Sequence, residues 1–223
     1  MLRAIVFDFD GVLANSEPLH LRAYRDVLAD HSVTLTEADY YARYLGYDDQ
    51  GAFRAIAAQH GFSWTPAQIA ELIRRKAERL EELENSASVL FPGAEAAVRA
   101  AGDAMPIAIA SGALGPEIRR VLDRADLARY FTAIVSADDT AVSKPSPDPY
   151  LCALERLSAV HGPVPPRDCV AVEDSVWGLE SARAAGLRTL AVAQTYRAEA
   201  LKPADLVIPS MLEFNLNALR ALF

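Results

Sequence analysis

Residues 4–17 read AIVFDFDGVLANSE. Ala4 to Phe7 are apolar at every position rather than at every second one. That is the pattern of a strand covered on both faces in a parallel sheet. Asp8 and Asp10 follow at once, and then Gly11. Two carboxylates held together at the end of a buried strand repel each other and are costly to desolvate. The rest of the sequence must supply a positive partner or a chemical use for them.

Further apolar runs of the same kind occur at 106–110 (PIAIA), 131–137 (FTAIVSA), 169–172 (CVAV), 189–193 (TLAVA) and 205–208 (DLVI). Helical patterns separate most of them. PEIRRVLDRADL places Ile118, Val121, Leu122 and Ala125 on one face, and DPYLCALERL places Leu151, Leu154 and Leu157 on another. SVWGLESARAAG starts with Ser175 as an N-cap and stops at Gly186. Strand alternating with helix from about residue 90 onward predicts an α/β, doubly wound, Rossmann-like parallel-sheet core.

Residues 16–86 read as helical throughout. In TPAQIAELIRRKAERLEELE, Thr65 and Gln68 form a capping box and Pro66 occupies the first helical position. Ile69, Leu72, Ile73, Leu80 and Leu83 make an apolar stripe, with the charges expected elsewhere. The predicted organisation is an α/β core from 1–15 and 87–223 with an inserted α-helical cap, 16–86. FPG at 91–93 marks the return to the core.

Composition narrows the function. The chain has 223 residues, is 52% hydrophobic and carries a net charge of −8. That balance argues against a nucleic-acid partner but leaves room for a local anion site. No stretch approaches a membrane span or a signal sequence, so the expected setting is the cytoplasm, without membrane association. Cys152 and Cys169 show no ligand spacing and read as two buried apolar cysteines. The chain is expected to act as a monomer.

Chemistry-bearing residues gather just past the predicted strand ends. They are Asp8 and Asp10, then Ser111-Gly112, then Lys144 in the following loop, then Glu173-Asp174. Ligands of open parallel sheets bind along that carboxyl edge. Each residue alone reads as a cap, a turn or a solvated charge; together they suggest a site. Several carboxylates in one crevice call for a hard cation, and oxygen ligands suit Mg²⁺. Lys144, the Ser111 hydroxyl and backbone N–H groups suit a phosphate dianion. An aspartate in such a place can attack phosphorus, and a second acid two residues on can shuttle the proton.

These residues resemble the haloacid dehalogenase-like hydrolase superfamily. DFDGVLANSE resembles its first motif, and Ser111 in IASGA, Lys144 in SKPSPDPY and Glu173-Asp174 in VEDS resemble the second, third and fourth, in order. The helical insertion resembles the cap of β-phosphoglucomutase and related sugar-phosphate phosphatases. By that resemblance Asp8 is the nucleophile and Asp10 the general acid and base. Ser111, Gly112 and Lys144 hold the phosphoryl group, and Asp8, the Asp10 carbonyl oxygen, Asp174 and Glu173 bind Mg²⁺. His20, Gly46 and Tyr47 stand at cap positions facing substrate choice.

The resemblance implies a Mg²⁺-dependent phosphatase acting on a small phosphorylated metabolite, in particular a sugar phosphate, through an aspartyl phosphate. Asp10 points away from carbon–halogen cleavage, because the dehalogenases lack a second acid in this role. The alternative is a β-phosphoglucomutase-type mutase. Mutases of this kind grip a second phosphate with basic cap residues near a Gly-x-x-Arg stretch. The comparable stretch here is LGYDDQ at 45–50, whose Asp48 and Asp49 are expected to repel a second phosphate, although Arg43 and Arg54 lie nearby. A receiver-type signalling domain shares the acidic cluster and lysine but needs neither the first-strand Asp-x-Asp nor a cap. His31, His60 and His161 read as surface or packing residues.

Overall fold

The computed structural model describes residues 1–44, 47, 49–86 and 89–223. The chain forms two compact units, Met1–Asn15 with Val89–Phe223, and Ser16–Ser88.

The first unit is built on a six-stranded parallel sheet: β1 (Ala4–Phe7), β2 (Ile107–Ala110), β3 (Phe131–Val135), β4 (Cys169–Glu173), β5 (Arg188–Val192) and β6 (Leu206–Ile208), in the order β3-β2-β1-β4-β5-β6. The strand order reverses at β1. Such a switch point leaves a crevice outside the carboxyl ends of β1 and β4. Register carries the first aspartate there: Phe7 pairs with Val172, and the Asp8 N–H continues the ladder by donating to the Val172 carbonyl at 2.9 Å. Every residue of β1, β2 and β4 is buried, as their continuous apolar runs require.

Helices cover the sheet. Val176–Ala184 begins where the Ser175 hydroxyl accepts the Gly178 N–H at 3.1 Å, and the chain turns away at Gly186 with φ +88°. Asp148–His161 buries Tyr150, Ala153, Leu154 and Leu157. Leu151, expected on that face, is 45% exposed. The buried set falls at i, i+3, i+4 and i+7 from Tyr150, which turns Leu151 outward.

The second unit packs Glu17–Leu28, Asp49–His60 and Pro66–Ser86 around Tyr24, Phe53, Ile56, Ile69 and Leu72. The Thr65–Gln68 capping box forms in both directions, at 2.9 and 3.3 Å. One expectation for the long helix fails: its charges are not all outside. Lys76 lies seven residues after Ile69, on the apolar stripe, and is 1% exposed. Its ammonium reaches Asp49 at 2.8 Å and His20 Nδ1 at 2.8 Å and lies 5.0 Å from the centre of the Tyr24 ring. A lysine is buried only when its charge is met in this way.

Candidate active site

The turn after β1 is held from two sides. Leu13 and Ala14 N–H groups donate back to the Phe9 carbonyl at 2.8 and 2.9 Å, and the Gln194 amide donates to the Gly11 carbonyl at 3.0 Å. Gly11 has φ +78°, and a Cβ there would fall 1.9 Å from an Asp174 carboxylate oxygen. Only glycine lets β1's turn and Asp174 share that space.

Asp8, Glu173 and Asp174 are buried together, with one carboxylate oxygen from each lying within 4.8 Å of the others. Lys144 is inserted among them. Its Nζ is 2.9 Å from Asp8 Oδ1 and 2.6 Å from Glu173 Oε1. Asp8 Oδ1 also accepts the Phe9 N–H at 2.7 Å. Glu173, 0% exposed, is fully engaged: Oε1 accepts Lys144 and the Tyr150 hydroxyl, each at 2.6 Å, and Oε2 accepts the Asp174 N–H at 3.2 Å and the Ser175 hydroxyl at 3.3 Å.

The electrostatics follow from three carboxylates facing one ammonium. Burial and the Glu173 charge push Asp8 up to about 7, against the pull of Lys144. Burial, Asp8 and Glu173 push Asp174 up to about 8. Burial works to lower Lys144, but Asp8 and Glu173 outweigh it and raise it, so it stays charged. Burial and the Glu173 charge hold the Tyr150 hydroxyl well above its usual range, as a donor. A site with this excess of buried negative charge and hard oxygen donors fits a divalent cation.

The other expected residues take these places. Ser111 lies buried just beyond β2; its N–H donates to the Val135 carbonyl at 3.0 Å and its Oγ accepts the Ala113 N–H at 3.0 Å. Gly112 follows on the surface, with open space where a Cβ would stand. Asp10 follows on the same turn and adds to the negative field on Asp8. Its part in the expected metal site was through its main-chain carbonyl.

In the second unit His20 is held by Lys76, and Tyr47 is exposed with its N–H on the Tyr44 carbonyl. Gly46 and Asp48 lie outside the described residues. Asp49 accepts Lys76 and the Tyr24 hydroxyl at 2.6 Å, so it is not the free charge the repulsion argument took it to be.

Three residues escaped the sequence reading. Tyr150 and Gly178 carry no local signal of their contacts with Glu173. Lys76 left one signal, a lysine in register with Ile69, Leu72 and Leu80.

The described residues thus place an aspartate at the switch point, a lysine shared between buried carboxylates and a serine on the neighbouring strand end of one parallel sheet. The model of the haloacid dehalogenase-like hydrolases matches residues 2–186. Protein CbbY of Rhodobacter capsulatus is 34% identical over 220 residues, covering 94% of each chain. Fructose-1-phosphate phosphatase YqaB of Escherichia coli is 31% identical over 193 residues, covering 82% of this chain and 92% of its own. The crystal structure of CbbY from Rhodobacter sphaeroides in complex with phosphate superposes with a TM-score of 0.84 at 31% identity, over 99% of this chain and 100% of that one. A mutant of that protein in complex with xylulose 1,5-bisphosphate gives 0.81 at 31%, over 96% of each. The chain belongs to the haloacid dehalogenase-like hydrolases, in the β-phosphoglucomutase-like subfamily, and is a phosphatase.

Proposed function

We propose that the protein hydrolyses a phosphorylated sugar through an aspartyl phosphate, with Mg²⁺ as cofactor. The observation that carries this reading is Lys144, held between Asp8 and Glu173 where it can meet both the nucleophile and a phosphoryl oxygen. The Asp8 carboxylate attacks phosphorus, the ester P–O bond breaks, and Asp10 gives its proton to the departing alkoxide. Asp10 then takes a proton from a water molecule that attacks the phosphoenzyme, releasing inorganic phosphate and restoring Asp8. Ser111 and Lys144 orient the phosphoryl oxygens, with the Gly112 main chain beside them. Asp8, Asp174 and the Asp10 carbonyl would hold Mg²⁺, which when bound neutralises charge on the transferred group. Glu173, expected as a fourth ligand, has both oxygens taken by Lys144, Tyr150, the Asp174 N–H and Ser175 and would act through Lys144 instead. The names of the relatives, a fructose-1-phosphate phosphatase and a protein crystallised with a sugar bisphosphate, support a sugar phosphate as substrate. Substrate choice is assigned to the cap, including His20, Gly46 and Tyr47.

The test is phosphate release from fructose 1-phosphate, β-glucose 1-phosphate and xylulose 1,5-bisphosphate with Mg²⁺ present. Turnover of at least one is expected, and none would overturn the reading. A second arm adds a trace of hexose bisphosphate to β-glucose 1-phosphate. Glucose 6-phosphate forming faster than free phosphate would establish the mutase instead.

A further inference from the structure

Glu173 is buried from solvent and is bonded to the Lys144 ammonium that also bonds Asp8, so what fixes Glu173 fixes the aim of the lysine. A carboxylate oxygen has two lone-pair positions. On Oε1 one takes Lys144 Nζ at 2.6 Å and the other takes the Tyr150 hydroxyl at 2.6 Å. The ring of Tyr150 is fully buried in the helix Asp148–His161, and its centre lies 5.2 Å from the same Nζ. On the far side, the Asp174 N–H and the Ser175 hydroxyl hold Oε2. The carboxylate is therefore pinned from both ends, and Lys144 meets a fixed acceptor on one side and Asp8 on the other.

We propose that Tyr150 is a positioning residue for phosphoryl transfer: its hydroxyl locks Glu173 and, through Glu173, holds Lys144 against Asp8. This rests on the hydrolytic reading above. The competing account is that Tyr150 is a core aromatic whose hydroxyl merely found an acceptor. The two differ in what the hydroxyl's loss changes. A core aromatic would alter stability alone. A positioning residue would alter the reacting geometry, which matters more for the five-coordinate phosphorus of the transition state than for the ground state.

Tyr150→Phe keeps the ring and deletes one oxygen. With the best substrate of the panel, kcat is expected to fall about 10- to 100-fold, the range set by one hydrogen bond to a charged group, with KM changing less than about 3-fold. With Mg²⁺ present, inhibition by orthovanadate, a five-coordinate mimic, should weaken about 10-fold or more. Inhibition by inorganic phosphate should change less than about 3-fold. In a double-mutant cycle, Tyr150→Phe should add less than about 3-fold to the loss caused by Glu173→Gln, because both act on one contact.

A kcat and a vanadate affinity within about 2-fold of the parent would overturn the proposal whatever the melting temperature, and so would losses that multiply in the cycle. A Tyr150→Phe protein that circular dichroism shows to be unfolded would overturn it too, by making the hydroxyl structural. A parent protein that releases phosphate from no substrate would instead sink the hydrolytic reading.

Discussion

Gly178→Ala sets two physical effects against each other. In an exposed helix interior, alanine for glycine stabilises by about 0.5–1 kcal/mol. At Gly178 the new Cβ would stand 2.0 Å from Glu173 Cδ and Oε2 and 2.1 Å from Oε1. Ordinary contact begins near 3.4 Å, so the carboxylate must retreat by about 1.4 Å or the helix must lift. A retreat of that size stretches the 2.6 Å bonds from Lys144 and Tyr150 to about 4 Å, beyond hydrogen bonding. Overpacking costs about 1–3 kcal/mol, and weakening a charged hydrogen bond costs about 1.5–3 kcal/mol. The net after the helix gain is a destabilisation of about 1.5–5.5 kcal/mol, a fall in Tm of roughly 3–20 °C for a chain of this size. Activity should fall by about 100-fold or more, because Lys144 loses its fixed acceptor. The assay pairs thermal unfolding with phosphate release. A Gly178→Ala protein that melts at or above the parent temperature and keeps its kcat would show that Glu173 is not held against this helix, and would remove the basis for its anchoring of Lys144.

Four further outcomes are expected. Asp8→Asn keeps the shape of the nucleophile but not its charge; turnover should fall by about 10³-fold or more with the fold intact, and near-parental turnover would refute the role of Asp8. Chelation should abolish turnover and Mg²⁺ restore it. Because Asp8 and Asp174 are raised from 3.8 to about 7 and about 8, the stability they lend the metal-free fold is complete below about 4 and is lost as pH rises through 7 to 8. Chelated protein should therefore melt lower at high pH than at low, and Mg²⁺ should raise Tm most at high pH; a uniform Mg²⁺ effect would count against these ligands. Asp139 is held down at about 2, chiefly by Arg156, so its stabilisation is present above about 4 and fades as pH falls through 2. Discounted for an exposed pair, Asp139→Asn should cost about 1 kcal/mol at neutral pH and progressively less below pH 4, read from melting curves.

What could be read from the sequence follows from range of interaction. The strands were legible because Ala4–Phe7 and its counterparts carry their signal within a few residues, and Ser175 and Thr65 announce their helices by contacts three residues away. Asp8, Ser111, Lys144 and Glu173-Asp174 were legible as a set because each follows a strand, and parallel strands put all their carboxyl ends on one edge. The bonds among them were not. Tyr150 and Glu173 are separated by 23 positions, and nothing local distinguishes a tyrosine that donates to a carboxylate from one that fills space. The same holds for Lys76 and Asp49, whose pairing changes the meaning of GYDDQ: a carboxylate that looked repulsive in isolation has its charge met by a buried lysine.

Why a buried strand should end in carboxylates is answered by counting charge at the switch point. Asp8, Glu173 and Asp174 bring three carboxylates and Lys144 brings one ammonium. Glu173 is the member that satisfies the lysine most fully, with four donors around it. That leaves Asp8 and Asp174 undercompensated, and it is these two whose acidity is weakened. A fold optimised for stability alone would replace one of them with a neutral residue, since an unpaired buried charge is among the most costly features a core can hold. The arrangement makes sense if the missing positive charge arrives with a divalent cation, which Asp8 and Asp174 would hold. The lysine cannot serve alone: tied to Glu173 on one side, it has only part of its charge to offer Asp8 and the substrate. Under the proposed hydrolysis, one carboxylate would aim the lysine and two would call for a cation, and that division of labour would let an aspartate at a buried strand end act as a nucleophile.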